Sequence, residues 1–212
     1  SFADFDSFEY SQQLSGQLVR LAKNNVDLIV IGIGNEMSKE YFCRFTNLNT
    51  HNVFAVNNSI LHQKFNLNRG LSLPLPPIIN LLIMCTGINS NGTIHEVMRG
   101  YLGDRNSSRI FGSDDFIKIG SHSLFKGKLF EVFSTNDELR PFELATRRLM
   151  NMIEILSNWN TYVPDSAFLT QRGATILLNE NDEVLYEFIS ESLLGYASKM
   201  SKPLSFLDDI LN

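Results

Sequence analysis

The stretch 171–190, QRGATILLNENDEVLYEFIS, constrains the fold of this chain more than any other part of the sequence. It contains an apolar run over 174–178, a polar turn over 179–182 and a second run of strand-forming residues over 184–189. Two such runs around a short polar turn predict an antiparallel β-hairpin. The sequence therefore predicts that Arg172 stands at the entry of a hairpin that closes the fold.

Helix and strand patterns alternate before that hairpin. Apolar residues recur at near-helical spacing from Phe8 to Leu21, and the pattern ends at Asn24 and Asn25. Further predicted elements are a buried strand over 26–33, a helix over 36–45, a strand over 52–56, a short helix from Ser59 and a final helix over 204–211. This order predicts an α/β domain with a parallel sheet covered by helices, and a first strand is expected before Ser1.

Residues 68–170 separate the two predicted halves of the domain, 1–67 and 171–212. The most regular pattern within them predicts a helix that begins at Pro141. Its apolar positions form one stripe that we expect to pack on the core: Phe142, Ala145, Leu149, Met152, Ile153 and Leu156. We expect residues 68–170 to be a mostly helical insertion into one elaborated domain.

The segment that begins at Gly70 and ends at Ile94 contains no charged residue. Its uninterrupted apolar part is shorter than the roughly 20 residues of a membrane-spanning helix, so no transmembrane segment is predicted. A buried core helix is the favoured interpretation. The alternative is a surface that docks on a protein partner or on a membrane complex.

Composition excludes some functions. A net charge of -5 and a pI near 5.4 argue against nucleic acid as a partner. The two cysteines, Cys43 and Cys85, are too few for a disulfide framework and suit a reducing compartment. The opening SFADFDSFEY predicts no secretory signal, and Ser1, in place of an initiator Met, suggests a processed or trimmed start.

No cofactor or metal is predicted. The four histidines show no pair at helical spacing. Gly32 and Gly34 follow a strand, but Met37 occupies the third glycine position of a dinucleotide-binding loop, so a plain turn is favoured.

Cys43 lies in a helix interior between aromatic residues, where a core thiol is favoured over a nucleophile, although Arg44 would lower its pKa if the sulfur were exposed. Cys85 is predicted to lie in the core.

Several stretches together carry a family resemblance: the hairpin, VDLIVIGIGN, FCRFTNL, LSLPLPP, RGYLGDR and RPFELATRRL. With them the chain resembles the peroxiredoxin-like branch of the alkyl hydroperoxide reductase and thiol-specific antioxidant (AhpC/TSA) superfamily, and it is most similar to cyanobacterial members. The resemblance implies a thioredoxin-like fold, in which helices flank a central mixed sheet and the helical insertion precedes the closing hairpin.

The resemblance also implies where a redox centre would lie. Active members carry a cysteine at the start of the first helix, stabilised by a threonine and an arginine. Aligning Asp4 with the family pattern places Glu9 near the cysteine position and Asp6 near the threonine position. Arg172 matches the family arginine and is expected to pair with Asp6 or Glu9. The alternative for Arg172 is a surface arginine at the start of a strand.

These observations favour a protein with a degenerate redox centre that acts by binding or regulation. The resemblance implies a cytoplasmic or thylakoid-associated setting. One alternative is a thiol-dependent peroxidase or thiol-disulfide oxidoreductase that uses Cys43 or a cysteine upstream of Ser1. Another is a carrier of small molecules in an apolar cleft between insertion and core. The oligomeric state is open, with a homodimer as one option.

Overall fold

The computed structural model describes residues 1–119, 122–132 and 139–211. Within these ranges the helices are α1 Phe5–Ser15, α2 Leu18–Lys23, α3 Glu36–Thr46, α4 Ile60–Lys64, α5 Pro77–Cys85, α6 Thr93–Leu102, α7 Leu129–Val132, α8 Glu143–Ser157, α9 Trp159–Tyr162 and α10 Phe206–Ile210. The strands are β1 Val30–Ile33, β2 Val53–Val56, β3 Phe116–Ile119, β4 His122–Lys126, β5 Ala174–Leu178 and β6 Val184–Ile189. This mixture of helices and small sheets agrees with the predicted α/β class.

The strands form three two-stranded sheets in the described part of the chain, rather than the single central sheet expected from the sequence. β1 and β2 are parallel, and β5 and β6 form the antiparallel hairpin with its predicted bounds. On the side of β1 away from β2, the Ile33 carbonyl accepts a hydrogen bond from the Phe2 N–H at 3.1 Å. β1 and β5 belong to separate sheets in the described residues.

The antiparallel pair of β3 and β4, which lies within residues 68–170, is not predicted from the sequence. The apolar pattern from Phe8 to Leu21 predicts one helix, whereas the structure has two. The Gly16 N–H binds the Gln13 carbonyl and closes α1, and α2 begins at Leu18. Asn25 then takes a left-handed conformation, φ 54°, at the predicted end of the helical pattern.

Aromatic side chains from α1, α3 and α9 form the centre of the main core. The Phe8 ring meets the rings of Phe42 and Tyr162 edge-on, at centroid distances of 5.0 and 5.3 Å. α3 is fixed at its start by a capping box, in which Asn35 and Ser38 each accept a hydrogen bond from the other's backbone N–H. These contacts hold α1 against α3 and place the start of α1 beside β1.

The stripe predicted to pack α8 on the core is for the most part exposed, so that prediction is wrong for most of its members. Leu149, Met152 and Leu156 are 39%, 37% and 55% exposed. The opposite face of α8 is buried instead: it carries Leu144 and Ile155, and Asn151 accepts a hydrogen bond from Gln12 of α1 at 3.0 Å.

The predicted burial of the segment 70–94 is also wrong. On α5 only Asn80 and Met84 are buried. The Asn80 side chain bonds the backbone of Leu73 and Leu75, which folds the preceding loop onto one face of α5 and leaves the other face, including Leu82, in solvent. No helix of the described ranges combines the length and the apolar character that a membrane crossing requires.

Phe2 fits against β1 only because two glycines lie below its ring. A Cβ built on Gly32 would lie 2.4 Å from Phe2 Cε1, and one on Gly34 would lie 2.7 Å from Phe2 Cδ2. Phe2 is 1% exposed, so its ring has no free space to move into.

We therefore expect Gly32→Ala to lower the free energy of unfolding by about 1–3 kcal/mol, the usual cost of overpacking a core. Urea denaturation followed by circular dichroism measures the difference. Gly173→Ala is the matched control, because a Cβ at Gly173 meets nothing within 4 Å. Equal stability of Gly32→Ala and the control would show that Phe2 does not pack tightly on this strand.

Candidate functional site

Arg172 lies inside the protein just before β5, with 1% of its surface exposed. Its Nη1 lies 3.0 Å from Asp4 Oδ1 and 3.9 Å from Asp6 Oδ2. Its Nε donates to the Thr170 carbonyl at 3.0 Å, and its Nη2 donates to the Leu169 carbonyl at 3.4 Å. The guanidinium is thus held by one carboxylate pair and by the backbone that leads into the hairpin, and the surface-arginine alternative does not apply.

Asp4 and Asp6 present the two carboxyl groups from the start of α1. Asp4 is the N-cap residue, but its side chain turns to Arg172 and accepts a hydrogen bond from Ser7 Oγ at 2.8 Å. Burial alone would raise the pKa of Asp4, but the Arg172 charge and the hydrogen bonds hold it below its ordinary value. Burial and the neighbouring Asp4 charge raise the pKa of Asp6 well above its ordinary value.

Asp6 is therefore the acid of this pair, and it holds its proton at pH values at which Asp4 is ionised. Its Oδ2 is buried and makes no hydrogen bond with the described part of the protein. A neutral carboxyl in such a place avoids the cost of burying a second negative charge beside Asp4.

Glu9 belongs to a different cluster, at the other end of the same helix face. Its Oε2 lies 2.7 Å from Nε of Arg148 on α8, and its Oε1 accepts a hydrogen bond from Tyr196 Oη at 2.5 Å. Burial and the Glu9 charge raise the pKa of Tyr196 well above its ordinary value, so the phenol remains the donor. The predicted pairing of Glu9 with Arg172 is not observed.

Arg148 links this cluster to α6. Its Nη1 donates to the Glu96 carbonyl at 2.7 Å, and its Nη2 lies 3.2 Å from Glu96 Oε2. Glu96 also pairs with Arg99 at 2.8 Å, and Arg99 reaches Asp104 at 3.0 Å. We call the connected set of Glu9, Arg148, Glu96, Arg99 and Asp104 the Arg148 network.

The environment of Cys43 is not that of a reactive nucleophile. It is 3% exposed and packs in the main core. Burial raises the pKa of its thiol, and Lys39 only partly opposes that effect. A thiol in this state is protonated near neutral pH and is closed off from solvent.

Cys85 is exposed at the end of α5, so the prediction that it lies in the core is wrong. Partial burial raises the pKa of the Cys85 thiol. The Arg172 charge opposes this rise, and the Asp6 charge adds to it. Nothing in the apolar run LLIMC indicates that Cys85 faces solvent, so its exposure could not be predicted from the sequence.

The structure brings together Asp4, Asp6 and Arg172 and leaves out Glu9 and Cys43. Carboxylates bind cations and move protons, but they do not form the sulfenic acid that a thiolate forms with a peroxide. Within the described ranges, no group of three or more His, Cys, Asp and Glu residues is arranged to hold a metal ion. The Arg148 network is not predicted from the sequence, because 139 residues separate Glu9 from Arg148 and no local pattern marks such a pair.

Comparison with known proteins gives one match. The model of a family described as AhpC/TSA antioxidant enzyme matches residues 13–192, which is most of the chain. No curated protein and no solved structure matches the chain significantly. The matched range contains Glu9's partner Arg148 and the hairpin arginine Arg172, whereas Asp4 and Asp6 precede it.

The raised pKa of Asp6 makes the stability of the fold depend on pH. The folded protein holds this proton more tightly than the unfolded chain, so stability is lost as the pH rises from 3.8 through the raised pKa. We expect Asp6→Asn to remove that loss: its unfolding free energy should exceed that of the wild type by a difference that grows by up to about 1.4 kcal/mol for each pH unit in that window.

The matched control for Asp6→Asn is Asp4→Asn, which should act in the opposite direction. The lowered pKa of Asp4 contributes stability that is present above 3.8 and is lost as the pH falls, so Asp4→Asn should destabilise the protein at neutral pH. Urea denaturation at several pH values measures both. A difference between Asp6→Asn and wild type that does not change with pH would contradict the assignment.

The Arg148 network generates a second prediction. Arg148→Met keeps the aliphatic part of the side chain but leaves Glu9 and Glu96 without their shared cation, so we expect a loss of about 3–5 kcal/mol in unfolding free energy. Arg109→Met is the control, because Arg109 forms an exposed pair with Glu131 and its side chain is 49% exposed. Chemical denaturation that shows equal losses for the two variants would contradict a structural role for the network.

Proposed function

The chain belongs to the family of AhpC/TSA antioxidant enzymes, and on that premise we propose that it is a peroxiredoxin-like protein without a peroxidatic cysteine that acts by binding or regulation. The family implies a thioredoxin-like fold. Within it we propose the peroxiredoxin-like branch, of the cyanobacterial type, on the motifs that carry the resemblance. One observation carries the proposal: the buried Arg172 guanidinium binds Asp4 and backbone carbonyls, and no thiol is among its hydrogen-bond partners in the described part of the chain.

The electrostatics of the cluster support this proposal. A peroxidatic thiolate needs an arginine charge that is not already neutralised. Here Asp4 lies 3.0 Å from the guanidinium, and the Arg172 charge lowers the pKa of Asp4. Both groups are therefore ionised and paired with each other. A charged pair of this kind holds the start of α1 against the hairpin and leaves no cation for a thiolate.

We further propose that residues 68–170 are an insertion into the thioredoxin-like fold and supply the working surface. The segment 70–94 supports this proposal, because it is uncharged and α5 exposes Ile78, Ile79 and Leu82. Such a face suits a protein partner or the protein surface of a membrane complex. On the family resemblance we propose a cytoplasmic or thylakoid-associated setting.

The second candidate function is a thiol-dependent peroxidase. In that reaction the thiolate sulfur takes one oxygen from the peroxide and becomes sulfenic acid, the O–O bond breaks, and the other oxygen leaves as water or an alcohol. A thiol reductant then restores the cysteine. Cys85 suits this candidate better than Cys43 does because Cys85 is exposed and Cys43 is buried, but the pKa of the Cys85 thiol is raised above its ordinary value, which opposes formation of the thiolate.

Peroxide consumption separates the two functions. We expect hydrogen peroxide and an alkyl hydroperoxide to disappear, in the presence of dithiothreitol, at the protein-free rate with the wild type, with Cys43→Ser and with Cys85→Ser. An active thiol peroxidase serves as the positive control. Turnover by the wild type that is lost in either serine variant would overturn the proposal.

A longer form of the protein, assayed in the same way, tests a cysteine upstream of Ser1. Turnover that appears only in the longer form would assign the chemistry to that cysteine and would also overturn the proposal.

A further inference from the structure

Asn91 and Gly92 form the turn that leads into α6. The Thr93 N–H donates to the Ser90 carbonyl at 3.2 Å, which makes Asn91 and Gly92 the two central residues of a β-turn. Gly92 has φ 88° and ψ -13°, the conformation of the second central residue of a type II turn, which glycine adopts without strain. The turn explains why a glycine follows Asn91, and Asn–Gly occurs nowhere else in the chain.

The side-chain amide of Asn91 and the backbone nitrogen of Gly92 belong to the exposed part of this turn. Both residues are exposed. Within the described ranges, the Asn91 side chain forms no hydrogen bond and the Gly92 N–H has no acceptor. A Cβ built on Gly92 would meet no atom within 4 Å, so open space surrounds this residue. Nothing that the structure describes holds the amide away from the nitrogen.

The start of α6 favours negative charge beside the turn. α6 has ten residues, and the Glu96 N–H donates to the Gly92 carbonyl at 2.9 Å as the first bond of its helical ladder. The N–H groups of Ile94 and His95 come before that bond and have no acceptor within the helix. The positive end of the helix therefore stabilises negative charge that develops on the Gly92 nitrogen or on the Asn91 side-chain oxygen.

The residues on either side of the turn are fixed in the interior. Ser90 and Thr93 are 0% and 2% exposed, and their hydroxyl oxygens lie 2.6 Å apart. Thr93 Oγ1 donates to the Leu193 carbonyl at 2.7 Å, and Ser90 Oγ accepts from the Leu193 N–H at 2.6 Å. Neither the Asn91 amide nor the Gly92 nitrogen takes part in these bonds, so a reaction between the two groups leaves the anchors of the turn in place.

We propose that Asn91 is a site of spontaneous deamidation in the folded protein. The Gly92 backbone nitrogen loses its proton to a solvent base and attacks Cγ of Asn91, and glycine has no side chain that hinders this approach. An N–Cγ bond forms, the Cγ–Nδ2 bond breaks, and Nδ2 takes up a proton and leaves as ammonia. The product is a cyclic imide that spans the two residues.

Water then opens the imide. Addition of water at Cγ breaks the new N–Cγ bond and gives aspartate, whereas addition at the main-chain carbonyl carbon of residue 91 breaks the original peptide bond and gives isoaspartate. The reaction consumes one water molecule and releases one ammonia molecule, with no change in oxidation state.

Either product carries a carboxylate where Asn91 is neutral. The segment 70–94 contains no charged residue, so this carboxylate is the first charge within it. The consequence for binding rests on the proposed function, which assigns residues 68–170 to the working surface: deamidation then changes the charge of that surface slowly and irreversibly. The reaction itself depends only on the turn.

Peptide mapping by mass spectrometry tests the site in the intact chain. The folded protein is incubated in mildly alkaline buffer, and circular dichroism shows that it stays folded. We expect the Asn91 peptide to gain about 1 Da in ordinary water and about 3 Da in water labelled with oxygen-18, since one oxygen comes from the solvent. The rate should rise with pH, because the nucleophile is the deprotonated nitrogen.

Asn106 is the matched control within the same molecule. It is exposed like Asn91, but Ser107 follows it, and the Ser107 N–H donates to the Asp104 carbonyl at 3.3 Å. We expect Asn91 to convert at least about tenfold faster than Asn106, and Gly92→Ala to slow the conversion of Asn91 about as much.

A synthetic peptide of residues 87–97 gives the rate without the fold. The folded protein should convert Asn91 within about tenfold of the peptide rate, because the turn leaves both groups open. An Asn91 that stays intact in the folded protein while the peptide reacts, or an Asn106 that converts as fast, would overturn the inference. The mapping reads a covalent change and neither binding nor peroxide turnover, so its failure is distinct from failure of the proposed function.

Discussion

The contact between Arg148 and Glu9 organises the part of the protein that carries its unusual features. The arginine lies on α8, binds α1 through Glu9 and binds α6 through Glu96. Because a buried charge must stay with its partners, this contact sets the rotation of α8 about its own axis. The apolar stripe of the helix then faces solvent, together with the outward sides of α5 and α6. The surface that we assign to binding thus follows from a buried ion pair, not from local amphipathicity.

The Arg172 cluster, at the start of α1, balances its charges differently from the Arg148 network. Its one cation and two carboxyl groups reach a neutral balance in which Asp4 carries the negative charge and Asp6 holds a proton. The backbone carbonyls before β5 take the remaining guanidinium hydrogens. In the function that we propose, Asp4 supplies the negative charge beside Arg172, and this carboxylate is not a soft nucleophile.

Local patterns predicted the elements that have clear ends. The bounds of β5 and β6 follow from a polar turn between two strand-forming runs, and α3 agrees with the helix predicted over 36–45. Burial was predicted less well, because the apolar stripe of α8 and the uncharged run of α5 were assigned to a core that they do not join. Periodicity reports which residues share a face of a helix, but the direction of that face depends on distant partners.

The residues of the candidate site could likewise be predicted only in part. Arg172 and the acidic start of α1 could be singled out from the sequence, since the hairpin and the DFD step mark them. Which acid the arginine binds could not be predicted, because a shift of a few residues along α1 changes the answer. The exposure of Cys85 and the Arg148 network depend on how residues 68–170 fold over the rest of the chain, and no local signal encodes that arrangement.

The 139-residue separation between Glu9 and Arg148 has a consequence for synthesis. α1 leaves the ribosome long before α8, and Tyr196, the other partner of Glu9, leaves later still. Before Arg148 is synthesised, Glu9 has no cation with which it could be buried, so α1 cannot reach its final position. Contacts between parts so distant in sequence also slow folding in general. Assembly of this domain must therefore await nearly its whole length, rather than proceed vectorially from the amino-terminal side.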